Sequence, residues 1–505
     1  MSEHLTDVVI DASHAAANRE RRNVATRVER HRRRPLRGLA LFAALAALCA
    51  GCDWQMFGYG PAHTSFNPTE SAISVGNVAG LSQRYPTNSF SNALGCSSPS
   101  YPGPCAPPAV AQGTVYVGAG RDFVARDAGT GILQWSAHTD ASIHSSPAVV
   151  DGVVYVASWT DFTANTNRLY AFDASGTTNC SGSPKVCTPL WTADLGFPQQ
   201  SAPTVANGVV YVTTGGELCV FGGCASLAAT TYAFDATGTT NCSGSPKLCT
   251  PLWTASSGSG AVSSPAVANG VVYVTASLLS AFDAAGTTNC SGTPKICTPL
   301  WTASGSSAGA SAAVANGVVY VASQDLDVVR NLKAFDAAGT TNCSGSPKVC
   351  TPLWTAAVGY QGDAITTPAI ANGVVYYSEA RSVDVEGLLY AFDAAGTTKC
   401  SGSPKVCTPL WTAAQPGRGA SSPAVANGVV YATYWGINDL LDGFAGIRAY
   451  DAASTINCSG TPKTCAPLWN VVANGRGSRS VSSPVIANGA VYVNADTVYK
   501  FALPS

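Results

Sequence analysis

The stretch Ser263-Ser264-Pro265-Ala266-Val267-Ala268-Asn269-Gly270-Val271-Val272-Tyr273-Val274 decides the fold. Two short β-branched runs flank an Asn-Gly pair, whose residues both reach positive φ and close a tight hairpin. The phrase recurs with small changes, placing Asn-Gly at Asn207, Asn269, Asn316, Asn372, Asn427 and Asn488, while Asp151-Gly152 and Gln112-Gly113 fill the same slot. Eight hairpins result. After each comes a strand such as Leu169–Asp173 or Leu389–Asp393, then Pro-Leu-Trp at Trp191, Trp253, Trp301, Trp354, Trp411 and Trp469, with Trp135 as a seventh. Each repeat therefore reads as four short strands, A to D, and turn markers 39 to 62 residues apart suit the blades of a propeller.

The ends of the chain suggest how the ring closes. The last repeat supplies strands A, B and C (Pro484–Ile486, Ala490–Tyr492, Val498–Phe501) and lacks D, whereas Leu81–Tyr85 precedes the first A strand with Tyr85 in the Trp slot. Borrowing that N-terminal strand completes an all-β, eight-bladed propeller of four-stranded antiparallel blades without open edges. The expected domains are a basic head and signal segment at 1–51, a lead-in at 52–77 and one propeller at 78–505.

Composition agrees with this reading. Of 505 residues only 11% are charged, against a typical ~25%, and there are 50 Gly and two Met. Gly costs about 1 kcal/mol per helical position, which disfavours long helices. Residues 1–51 hold nine of the 28 basic and five of the 29 acidic residues, so the remainder carries 19 and 24 and is weakly acidic. Nucleic-acid binding through a basic face is not expected.

The head reads as a targeting segment. Nine Arg between Arg19 and Arg37 precede an apolar run, Leu39–Ala50, which is too short to span a bilayer but suits a signal core. Ala50-Gly51-Cys52 resembles a lipobox, although Cys49 stands where Leu is usual. The expectation is export and lipid anchoring at Cys52, in a cell envelope.

Cysteine usage points the same way. Six repeats carry an insertion of the type Asn-Cys-Ser-Gly-Ser-Pro-Lys-Val-Cys-Thr-Pro between C and D. It yields the pairs Cys180/Cys187, Cys242/Cys249, Cys290/Cys297, Cys343/Cys350, Cys400/Cys407 and Cys458/Cys465; Cys96/Cys105 and Cys219/Cys224 are also close in sequence. Eight local disulfides in an oxidising compartment are expected, six of them stapling C–D loops. Zinc is disfavoured, because two thiolates per repeat cannot fill four tetrahedral positions.

The A-x-D…G…W repeats, opened by Asp53-Trp54-Gln55-Met56-Phe57-Gly58-Tyr59-Gly60 and Asn67-Pro68, resemble the pyrroloquinoline-quinone (PQQ) repeat family. That resemblance implies an eight-bladed propeller, in a family holding both quinoprotein dehydrogenases and non-catalytic envelope proteins. Dehydrogenases of that kind need PQQ, Ca²⁺ and often a disulfide between adjacent Cys. No adjacent Cys pair occurs, and Glu is scarce after Cys52, with only Glu70, Glu217, Glu379 and Glu386. Asp173, Asp235, Asp283, Asp336, Asp393 and Asp451 recur at one turn of every repeat, as turn formers do.

An up-and-down blade sends A–B and C–D loops to one side and B–C and D–A loops to the other. The first side repeats, with Lys185, Lys247, Lys295, Lys348, Lys405 and Lys463 in the insertions. The second side varies, and variable loops on a rigid scaffold carry function disproportionately. Its candidate binding residues are His138, Asp140, His144, Asp363, Arg418, Arg476 and Arg479. No catalytic residue and no metal site is assigned; His138, Asp140 and His144 have no specific ligand spacing. The reading is a non-catalytic, envelope-anchored propeller binding a partner protein or anionic surface polymer, with no cofactor. The alternative is a PQQ- and Ca-dependent dehydrogenase of alcohols or sugars.

Overall fold

Every Asn-Gly phrase folds into the expected A–B hairpin, with Asn269 at φ 51° and Gly270 at φ 77°. Sheet two shows the plan: Ala148–Val150 (A), Val153–Trp159 (B), Arg168–Asp173 (C) and Trp191–Asp194 (D) pair antiparallel in sequence order. The computed structural model describes residues 53–84, 106–159, 167–196, 199–220, 223–260, 263–304, 310–324, 329–360, 365–379, 386–417, 419–437, 443–474, 481–495 and 497–504. All lie in one unit spanning Cys49–Ser505. Cys52, Cys96, Cys105, Asp363, Arg418, Arg476 and Arg479 lie outside the described residues.

The described strands form eight sheets. In seven of them, strands A to D come from one continuous stretch; the eighth joins Ser82–Gln83 antiparallel to the C strand Val498–Ala502, with Ser82 opposite Ala502 and Gln83 opposite Phe501. The innermost A strands touch in order from Ala109–Ala111 round to Val485–Ala487, which touches Ala109–Ala111 again. The molecule is an all-β propeller.

From sheet one to sheet six, one carbonyl per junction binds consecutive sheets. In sheet one, the hydroxyl of Tyr116 (strand B) and the indole Nε1 of Trp135 (strand D) both donate to the carbonyl of Ala174 in sheet two, each at 3.0 Å. The pattern repeats with Tyr155 and Trp191 on Ala236, Tyr211 and Trp253 on Ala284, Tyr273 and Trp301 on Ala337, and Tyr320 and Trp354 on Ala394. Gly176 follows at φ 64°, and a Cβ there would stand 2.3 Å from Trp135 Cδ1. The turn needs positive φ and the indole needs the space, so glycine meets both demands. The insertions therefore leave Trp docking intact.

The insertions correct an expectation. Rather than loops on the rim, they are two-stranded hairpins that fold onto the D strand of the preceding sheet. Lys185, Val186 and Cys187 pair parallel with Trp135, Ser136 and Ala137, and Cys180–Ser181 lies outside them. The same exchange extends sheets one to six. Each hairpin holds a disulfide and a cis X-Pro bond. Six such bonds join neighbours in sequence among the described residues: Cys180–Cys187, Cys242–Cys249, Cys290–Cys297, Cys343–Cys350, Cys400–Cys407 and Cys458–Cys465.

The pairing is as expected, but the surroundings of its second cysteine are not. Cys187, Cys249, Cys297, Cys350, Cys407 and Cys465 are buried strand residues, not members of a solvated loop. Each packs in the same apolar cluster as the D-strand tryptophan of the preceding sheet: Cys187 with Trp135, Cys249 with Trp191, Cys297 with Trp253, Cys350 with Trp301, Cys407 with Trp354 and Cys465 with Trp411. The reason is strand alternation, which turns the apolar sulfur inward wherever the preceding Val, Leu, Ile or Thr points out. Cys219 and Cys224 are register partners across a B–C hairpin longer than expected, Val209–Val220 with Gly223–Asp235. The insertion lysines are tethered: Lys185 Nζ donates to Gly176 O at 3.0 Å, and its five counterparts donate to the equivalent carbonyls in their own repeats.

The recurring aspartates are turn formers. Asp283 Oδ2 accepts from the Thr287 amide and hydroxyl and from the Thr288 amide. Partial burial pushes its carboxyl upward, but these bonds outweigh burial and hold it at about 2, as they do for Asp336 and Asp393. Asp173, Asp235 and Asp451 are lowered by the same balance.

Two outcomes follow. Folded-state carboxyls held below the unfolded value of about 3.9 mean that unfolding takes up protons, so this stabilisation is complete above about pH 4 and fades as pH falls toward 2. Acid titration followed by tryptophan fluorescence should show that window; a transition centred above pH 5 would contradict it. Leu81, only 6% exposed, anchors the end-joining strand, and its carbonyl accepts from Trp469 Nε1 at 3.2 Å. Leu81→Ala should cost about 2–5 kcal/mol in urea denaturation, whereas an unchanged midpoint would mean that the N-terminal strand is dispensable.

Candidate binding face

The lead-in is part of the propeller, not a separate stretch before it. Trp54 exchanges two backbone hydrogen bonds with Val110 of sheet one, and Gln55 O accepts from Val149 of sheet two. The carbonyls of Pro61, Ala62, Thr64 and Ser65 then accept from Val267, Val314, Ile370 and Val425 of sheets four to seven. His63 Nε2 meets Thr204 Oγ1 of sheet three at 3.0 Å, and Asn67 Nδ2 donates to Ile486 O of sheet eight at 2.8 Å. One segment from Trp54 to Asn67 thus bonds to the inner strand of all eight sheets.

Its flanks identify the end it occupies. Asp53 accepts from the Gln112 amide and Asn488 Nδ2, Glu70 from the Gly489 amide, and Ser71 and Ile73 carbonyls from Asn427 Nδ2. All four donors belong to A–B turns, so the segment sits at that end of the axis. His63 is fully buried there; burial pushes its imidazole down to about 3 and keeps it neutral.

The described residues at the opposite end, toward the D–A and B–C connections, include many polar side chains. A belt of hydroxyls in the Ser-Ser-Pro positions links sheets three to seven. The amides of Ala202, Ser264, Ser311 and Thr367 donate to Ser264 Oγ, Ser311 Oγ, Thr367 Oγ1 and Ser422 Oγ, each in the next sheet. Above this regular belt lie three clusters with no repeat.

At sheets one and two, Arg168 reaches Asp194 at 2.8 Å and Asp140 at 2.5 Å, and the Tyr170 hydroxyl donates to Asp140. At sheets five and six, the buried side chains of Arg330, Tyr377 and Glu379 share an electrostatic environment. Burial pushes the Tyr377 phenol up, Arg330 opposes that shift and Glu379 adds to it. Tyr390 donates to Glu379 Oε2 at 2.8 Å, and the carboxylate occupies the space where Gly359 lacks a side chain. At sheets six and seven, Gln415 donates to the Tyr450 hydroxyl at 2.8 Å. Arg448 donates to Ala414 O and lies over the Tyr434 ring, 5.5 Å from its centroid.

Of the sequence-derived candidates, His138, Asp140 and His144 fall in the described residues, and they do not converge. His138 closes a D strand and meets exposed Asp122 at 2.9 Å; Asp140 is held by Arg168; His144 packs its ring against Trp159, 5.0 Å between centroids. Among the described residues no group of three His, Cys, Asp or Glu could hold a metal ion. Arg168, Arg330, Glu379 and Arg448 are not among those candidates, although Glu379 is one of four Glu after Cys52. Their signal is a departure from the repeat: Arg168 and Leu278 share one C-strand slot, as do Arg448 and Ser280 another.

Among the described residues no set fits PQQ with Ca²⁺, which the repeat resemblance implies for dehydrogenases. The A strands are built mainly from buried Ala, Val, Ile and Thr, the recurring Asp carboxylates serve turns, and Glu379 is buried against Tyr390. No step through that cofactor is derived.

Residues 93–180 match the family model described as outer membrane protein assembly factor BamB. No curated protein matches the chain. Among solved structures, the quinohemoprotein alcohol dehydrogenase of Comamonas testosteroni is 14% identical over 92% of this chain and 82% of its own, with a TM-score of 0.57. A europium-containing methanol dehydrogenase is 13% identical over 88% and 89%, with a TM-score of 0.55. The computationally designed Ika8 protein is 12% identical over 80% and 97%, with a TM-score of 0.52. At such identities the likeness is one of fold. Architecture and comparison together identify the chain as a β-propeller, similar over residues 93–180 to the outer membrane assembly-factor family and to PQQ-repeat propellers in fold.

Proposed function

We propose that this protein is a non-catalytic, eight-bladed binding propeller of the cell envelope, which receives an anionic partner protein or surface polymer on its D–A and B–C end. The observation that carries the reading is the asymmetry of the axis. The Trp54–Asn67 segment occupies the A–B end, and the non-repeating charged residues gather at the other. Six disulfides support an oxidising, extracytoplasmic location. Arg418, Arg476 and Arg479 precede the A strands of sheets seven and eight, where they add positive charge to a weakly acidic body and favour an anionic ligand.

The test is retention of the purified protein on a polyanion matrix. Changing the three arginines to Gln should lower the eluting salt concentration clearly without moving the thermal midpoint, and changing Lys185, Lys247 and Lys295 to Gln should have less effect. Equal losses from both sets would refute the face assignment. Dye-linked alcohol oxidation appearing only with added PQQ and Ca²⁺ would replace the binding reading with the dehydrogenase. Anchoring is tested separately: Cys52→Ser should move the protein from the membrane to the soluble fraction, and persistence in the membrane would remove the lipid anchor from the proposal.

A further inference from the structure

The outer edges of the sheets are not equivalent. Sheets one to six each carry a hairpin donated by the following repeat, but sheets seven and eight end, among the described residues, at their own D strands. Sheet eight is outermost at Ser82–Gln83, two exposed residues followed by exposed Arg84, and a short charged edge resists pairing. Sheet seven ends at Trp469–Asn474, six residues long.

That strand also differs in sequence. Sheets two to six read Trp-Thr-Ala, with the Ala buried, whereas sheet seven reads Trp469-Asn470-Val471-Val472, with Asn470 exposed and Val472 52% exposed. Trp469 itself is 9% exposed, against 0–2% for the six tryptophans whose sheets carry a hairpin. The capped sheets show what such an edge accepts. The amides of Thr192, Thr302 and Thr412 donate outward to the carbonyls of Lys247, Lys348 and Lys463 in the added strands. Asn470 holds the same slot in sheet seven, and strand alternation points the Val472 amide the same way.

We propose that the edge Trp469–Asn474 docks an extended strand of a partner polypeptide, added parallel as the chain's own hairpins are. The partner segment is short and centred on a β-branched or Leu side chain, as Val186, Leu248, Ile296, Val349 and Val406 are in the internal examples. Main-chain bonds supply affinity in this mode, and alternate side chains supply specificity. The proposal rests on the reading of the propeller as a partner-binding scaffold but uses a different surface from the arginine face, so the two fail separately.

The probe is the disulfide-closed peptide of residues 179–189, with a photo-crosslinking residue in place of Val186, added to the full chain. Saturable cross-linking that maps to residues 469–474 is expected. Val472→Pro removes an outward donor while sparing the inward ladder, and should weaken capture at least about tenfold; Val472→Thr should retain it, with both variants keeping the wild-type thermal midpoint. Failure of the wild-type protein to capture the peptide would overturn the proposal, including the case where other residues of the chain already cover the edge. So would cross-links elsewhere, equal capture by Val472→Pro, or a dimer in sedimentation that Val472→Pro abolishes, since the edge would then serve a second copy. If Val472→Pro lowers the midpoint, failure of a Val472→Lys variant to reduce capture would count against the proposal in its place.

Discussion

A single backbone carbonyl holds neighbouring sheets together at five successive junctions. Ala174 O, with its counterparts at Ala236, Ala284, Ala337 and Ala394, accepts both a Tyr hydroxyl and a Trp indole from the preceding sheet. Those polar atoms are buried, and a buried donor without an acceptor costs about 1–3 kcal/mol. The aromatic rings that carry them are packed close, as with Tyr155 and Trp191 at 5.9 Å between centroids, and burial raises the Tyr211 and Tyr273 phenols to about 12. The carbonyl therefore sets the angle and spacing of neighbouring sheets, while apolar burial supplies most of the energy. Everything farther from the axis follows from that spacing, including the reach of each hairpin to the sheet before it.

The repeat was legible because its signals are local. Asn-Gly turns, alternating Val-Val-Tyr-Val and the Asp-to-Thr turns need only neighbours in sequence, and strand pairing at Ser82–Gln83 could be inferred by counting missing strands. What could not be read has a common cause in distance along the chain. Lys185 pairs beside Trp135, fifty residues earlier, and the insertion itself carries no mark of which sheet it joins. The cysteine pairs were local and readable, but the burial of Cys187 against Trp135 was not, because it depends on that same distant pairing. The lead-in is aperiodic, with Tyr59, His63 and Ser65 at positive φ, so it matches neither a strand nor a helix template. His63 is a neutral core residue against Thr204.

The candidate face was legible in outline only. Variation of the D–A and B–C segments singled out Asp140, but its partner Arg168 lies in a C strand of the next sheet. Likewise Glu379 is a B-strand residue whose importance depends on Gly359, Tyr377, Tyr390 and Arg330 around it. Charged groups at such positions are expensive to bury unless they are compensated. Their presence in three junctions, against uncharged residues such as Leu278, Ser280 and Ala276 in the corresponding slots of sheet four, breaks the symmetry of the ring.

Symmetry breaking at the circumference obeys the same logic in backbone terms. A strand edge is a row of unmatched donors and acceptors, and a propeller removes its inner edges by ring packing but leaves one outer edge per blade. Here the chain covers six of those edges with its own hairpins, each fastened by a disulfide whose loop closes on only seven residues of separation. The staple cannot contribute much to the whole ring on an entropic account, because short loops constrain the unfolded chain little. Its effect is local: it holds a three-residue strand in the extended form needed to pair with a distant sheet, so that Lys185 can reach Gly176 O while Cys187 is buried. Covering depends on the repeat that follows. Sheet seven precedes the end-joined sheet and sheet eight precedes the first repeat, which has no insertion, so the two edges without a hairpin among the described residues fall side by side where Ser82–Gln83 pairs with Val498–Ala502.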